Sequence, residues 1–217
     1  MKFDNAKTGI KRIYNAEILS IIAAIVAIVA AVLLVILGSV TKDGQVNATD
    51  VISTISLVVA GIIAFVAYIM NIVGISTASK DSEDFKNALY MAIGAILTSV
   101  ASSLLQKSSP GFAGALQVSE NIFEMLTAYY VINGCTNLAK QIGNAAVEAE
   151  GKKTMKLFLT VWIISIAVET IGKIFERSSK TQVLTIIAGI LAIAALVLGL
   201  ICYIIFLKLL RKTIDIL

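Results

Sequence analysis

The chain has 217 residues, 58% of them apolar and only 15% charged, with a net charge of +4 and a mean hydropathy of +0.92. These values exclude disorder, which needs low hydrophobicity, and argue against a water-soluble globule, in which roughly 25% of residues are charged. With no histidine and two cysteines, neither a Ser-His-Asp or Cys-His site nor a disulfide scaffold can be built, no metal or cofactor is expected, and no basic and aromatic stretch suits nucleic acid.

A membrane-crossing helix needs about 20 mostly apolar residues, and six segments qualify. The first, 18–38, has Ser20 as its only clearly polar side chain and carries Ala23, Ala27 and Ala31 at four-residue spacing. Its apolar run of about 20 residues exceeds the 7–15 of a signal peptide, so it is expected to be retained as a span. A polar connection, 39–50, includes the sequon Asn47-Ala48-Thr49, which matters only in a secretory-pathway host.

The second span, 51–75, is uncharged, and Tyr68 and Asn71 near its inner end read as packing residues. A charged connection, STASKDSEDFK (76–86), leads to a short third span, 88–105, with Ser99, Ser102, Ser103 and Gln106 close to one face. The fourth span, 120–139, is more polar, placing Gln117, Glu120, Glu124 and Thr127 on one face. The segment after it reads as helix to Glu150 with Gly151 as its stop, so the fourth helix is expected to run about two or three turns past the membrane. The fifth span, 157–175, contains Glu169 and Lys173, and the sixth, 183–207, is an uncharged run ending at Lys208. Cys135 and Cys202 read as small buried hydrophobes.

Basic residues set orientation, because cytoplasmic loops are enriched in Lys and Arg. With six spans, thirteen of the eighteen Lys and Arg fall on the side holding both termini and five on the other. The expected fold is therefore all-α: one transmembrane domain over 1–217, a polytopic bundle of six helices in three hairpins. Both termini are expected in the cytoplasm and the bundle in the plasma membrane.

The hairpins are spaced about 70 residues apart, and Asn15-Ala16 and Asn87-Ala88 stand at the start of two of them. The third start, KKTMKLFLTVWIISI from Lys152, lacks Asn-Ala. Independent helices under one charge rule give the same pattern as a triplicated unit. The single proline, Pro110, lies in an outer connection; the hairpin prolines of mitochondrial carriers and the asparagine-proline signature of aquaporins are both missing. In size, span number and the small-residue stripe on its first span, the chain resembles the substrate-binding subunits of energy-coupling-factor vitamin transporters. That likeness implies docking on a partner through small residues, without a vitamin-binding motif to accompany it.

A carboxylate at the centre of a bilayer costs about 2.5–3.5 kcal/mol on insertion scales, so acids there are paired, wet or protonated. At 1.5 Å per residue, Glu169 lies about 20 Å from the inner boundary, and Glu124 about 6–8 Å below the outer surface. These positions predict an outward-opening polar vestibule between the third, fourth and fifth spans. Glu120, Glu124 and Glu169 with Lys173, Ser99, Ser102, Gln106 and Gln117 are its candidate ligand- or ion-binding residues. The competing reading pairs Glu169 with Lys173 four residues on and leaves Glu120 and Glu124 in interfacial water. The expected function is transport of a small solute or ion. The alternative is a non-transporting subunit that docks a second copy or another membrane protein through Ala23, Ala27 and Ala31 or through the cytoplasmic helical extension. A membrane enzyme is the least supported class.

Overall fold

The computed structural model describes residues 3–38, 48–178 and 182–217. They form six helices: α1 (Asp4–Gly38), α2 (Ala48–Ala78), α3 (Glu83–Leu105), α4 (Pro110–Gln141), α5 (Ala145–Ser178) and α6 (Gln182–Ile216). The sequon asparagine, Asn47, and Lys42 lie outside the described residues. The most extensive packing joins α1 to α2, α3 to α4 and α5 to α6; α4–α5, α1–α6, α2–α3 and α4–α6 contacts assemble the bundle.

Four of these helices contain stretches long and apolar enough to cross a membrane: Asp4–Leu33, Ile52–Ala78, Glu83–Leu105 and Ile193–Ile216. No such stretch is found among the described residues of α4 and α5; in α4 the polar residues Glu120, Asn121, Glu124, Asn133 and Asn137 interrupt the apolar run. Much of the outer surface is nonetheless apolar: Ile25, Ile28, Val58, Phe65, Leu97, Leu104, Ile193 and Leu196 are all exposed. Such a surface is costly in water and stable against lipid tails, which are as apolar as leucine. The chain is thus a helical bundle with several helices capable of spanning a membrane.

The core sits at the end of the bundle where both termini lie. Ile10 and Ile13 of α1, Ile75 of α2, Phe85 of α3, Ile132 and Leu138 of α4, Val147 of α5 and Leu209 and Leu210 of α6 are buried in one cluster. Acids fasten its rim. Asp81 accepts from the Asn5 side chain at 2.9 Å and from the Ala6 backbone N–H at 2.8 Å, satisfying one of the orphan donors of the α1 first turn. Asp84 accepts from Asn133 at 2.7 Å and Asn137 at 2.8 Å, which tie α3 to one face of α4. Lys212 of α6 pairs with Glu150 of α5.

The α1–α2 hairpin closes on small residues. A Cβ added at Gly9 would lie 2.5 Å from the Ala78 nitrogen and the Gly74 oxygen, so the two backbones touch there. That contact sets an antiparallel register in which Ala16 falls opposite Ala67, Ala23 opposite Ala60 and Ala30 opposite Ser53. All six of these residues are no more than 4% exposed. The buried seam therefore repeats every seven residues, the period of helices that wrap around each other, rather than every four. Ala23 belongs to it, whereas Ala27 is half-buried and Ala31 exposed.

Two expectations about the connection between α4 and α5 change. The fourth helix does not run on to Glu150: it stops at Gln141, where the Gly143 N–H bonds to the Lys140 oxygen at 3.1 Å and the Asn144 N–H to the Ala139 oxygen at 2.9 Å. Gly143, with φ of 77°, adopts the left-handed conformation that closes such a helix end. The Asn144 side chain then accepts from the Val147 N–H at 3.1 Å and caps α5. Gly151 is no stop; it lies inside α5, where a Cβ would collide with Thr136 of α4.

Candidate functional site

Helices α3 and α4 are packed closely at the ends remote from the termini, where the Ser102 hydroxyl donates to the Ala113 carbonyl at 3.0 Å. Polar side chains from both helices line a cavity of 350 Å³ beside this contact: Ser99, Ser102, Gln106, Gln117 and Glu120. A second cavity of 250 Å³ shares Ser99 and Glu120 with the first and adds Tyr68, Ala95 and Glu124. A third, of 360 Å³, shares Tyr68, Ala95 and Glu124 with the second and reaches Glu17, Asn71 and Phe206. Three adjoining cavities thus step from the joined ends of α3 and α4 toward the packed core.

Six of the predicted site residues meet here: Ser99, Ser102, Gln106, Gln117, Glu120 and Glu124. Glu169 and Lys173 lie on α5, but their side chains are outside the described residues. No described residue of α5 lines any of the three cavities; Tyr68 of α2 stands where a fifth-span wall was expected. The reason is the packing order: α5 contacts α4 and α6, while α2 meets α3.

Glu17 is the functional candidate that sequence reasoning missed. Placing the first span at Ile18 left Glu17 just outside the membrane, although α1 begins at Asp4. Its carboxylate accepts from Asn71 Nδ2 at 2.8 Å and from the Tyr203 hydroxyl at 2.6 Å, and that hydroxyl also lies 3.0 Å from the Glu17 carbonyl oxygen. One acid therefore joins α1, α2 and α6. The available signal was spacing: Glu17 follows Ile10 and Ile13 at seven and four residues, on the buried face of α1. Asn71 and Tyr68, read as packing residues, are cavity walls.

The electrostatics are one-sided. Among the described residues no Lys or Arg lines any of the three cavities, and neither Glu120 nor Glu124 has a salt-bridge partner among them. No group of three or more acids or cysteines that could hold a metal ion occurs among the described residues. The arrangement supplies negative charge, acceptor oxygens and water-sized space in a file.

No family model, curated protein or solved structure matches the chain. The fold and these cavities define it as a helical bundle with several helices capable of spanning a membrane.

Proposed function

We propose that the chain is a six-span plasma-membrane protein with both termini in the cytoplasm, and that its cavities are an outward-facing acidic vestibule for taking up a small cationic solute or ion. The observation that carries this reading is the file of three cavities. It runs from Ser102 and Gln106 past Glu120 and Glu124 to Glu17 without meeting a basic side chain among the described residues. Carboxylates within a membrane bundle face its interior or a wet cavity and mark ion and substrate paths. The charge bias, thirteen basic residues against five, supports the orientation and brings α4 and α5 into the bilayer beside the four more apolar helices.

Partner docking has less in its favour. Ala23, with Ala16 and Ala30, is buried in this chain's own seam, and Lys140–Glu150 is not one projecting helix. The test is flux. Purified protein in liposomes is exposed to outward-to-inward gradients of sodium, potassium or methylammonium, and charge movement is recorded on a supported membrane. A saturable current that Glu124→Gln lowers by about tenfold or more supports the reading; no current above protein-free liposomes for any of these cations contradicts it.

A further inference from the structure

The innermost cavity differs from the outer two. Its 360 Å³ falls at the small end of the range for organic-ligand sites, and apolar side chains dominate its walls, among them Ile13, Ile72, Ile75 and Val131. Into this setting the chain places Glu17 from α1 and Glu124 from α4. The Glu17 oxygens each receive one neutral donor, from Asn71 and Tyr203, and no cation among the described residues. The Asn71 amide spends its nitrogen on Glu17, while its oxygen is buried without a partner. Beyond the second Asn71 N–H and the Tyr68 hydroxyl, what the polar end has left to offer is acceptors and negative charge. Two aromatic rings, Tyr68 and Phe206, stand in the same wall.

We propose that this cavity binds an organic ammonium ion: one positive charge at the carboxylates and a small apolar body among the isoleucines and rings. The inference rests on reading the cavities as a cation path and names the class of cation. Other occupants fit less well. An anion would meet two carboxylates and no basic wall. A neutral apolar molecule would make no use of either acid and would leave the buried Asn71 oxygen without a donor. Calcium or magnesium takes about six to eight oxygen ligands, and no group of three or more acids or cysteines able to hold a metal occurs among the described residues. An ammonium gains charge-assisted hydrogen bonds and, over Tyr68 or Phe206, attraction to the ring face.

The test is equilibrium binding to the purified full-length protein in detergent, by calorimetry at pH 7. Phenethylammonium is compared with 2-phenylethanol, its neutral counterpart. The ammonium is expected to bind saturably and the alcohol at least about tenfold more weakly. Glu17→Gln and Glu124→Gln are each expected to weaken the ammonium by about tenfold or more. The Glu124 side chain makes no hydrogen bond among the described residues, so its variant carries the test should Glu17→Gln fold poorly. Absence of ammonium binding, equal binding of the alcohol, or unchanged affinity in a folded Glu124→Gln protein would overturn the proposal. Ammonium binding without any cation current sinks the transport reading alone; a sodium or potassium current without ammonium binding sinks this inference alone.

Discussion

At the residue scale, acids do two different jobs. Asp84 is structural: its carboxylate serves Asn133 and Asn137 together. Asp84→Ala leaves two part-buried amides without their acceptor and is expected to destabilise the protein by about 1–3 kcal/mol, read as a lower midpoint in thermal unfolding in detergent. Glu148, in the first turn of α5, is a milder case. The Lys152 ammonium, bonded to it at 2.6 Å, holds its carboxyl below the usual carboxylate range. A depressed folded value means the contribution exists above that range and fades as pH falls through it. The pair is solvent-exposed and worth little, so Lys152→Met is expected to leave the unfolding midpoint at pH 7 nearly unchanged. Gly134 matters through space. A Cβ there would lie 2.5 Å from the Phe85 ring, whereas one at Gly61 meets nothing within 4 Å. Gly134→Ala should cost about 1–3 kcal/mol by overpacking and Gly61→Ala close to nothing, in the same unfolding measurement.

At the element scale, the α1–α2 seam shows what an apolar sequence conceals. Alanines occur around much of α1, so both four- and seven-residue stripes can be drawn through Ala23; only the partner helix decides between them. The choice rests on Gly9 against Gly74, a contact between residues far apart in the chain. The seam predicts that Ala67→Leu, at a wholly buried position, disrupts the hairpin by about 1–3 kcal/mol, while Ala64→Leu, at an exposed one, is tolerated. Ser53 lies in the same seam with a buried hydroxyl that has no partner. Ser53→Ala is therefore expected to be neutral or to raise stability by about 1 kcal/mol. Thermal unfolding of the three variants side by side checks the register. Gly143 and Gly151 illustrate a second ambiguity: glycine serves both a helix stop and a close crossing. Asn144, able to cap the next helix, was the local signal that the stop comes at Gly143.

At the scale of the whole molecule, composition and the length of the apolar runs pointed to a membrane-type helical bundle, because large apolar side chains are exposed along its helices as well as buried. The lining of the outer two cavities was partly legible: serines on α3 and acids on α4 share faces at helical spacing, and the two helices are neighbours. Its inner end was not, since Glu17, Asn71 and Tyr203 come from three helices and meet only through the tertiary fold. The core and its acid fastenings gather at the end carrying the termini, and the three cavities extend from it along α3 and α4 toward the other end. This division suits a bundle anchored on one side of a membrane and accessible from the other.

The most direct test of that arrangement is thiol accessibility in intact cells. The native Cys135 and Cys202 are buried and provide a quiet background. Ser99→Cys and Glu120→Cys are expected to react from outside with a membrane-impermeant, positively charged methanethiosulfonate, and Lys80→Cys only after permeabilisation. Failure of both vestibule cysteines to react, or reaction of Lys80→Cys from outside, would contradict the account.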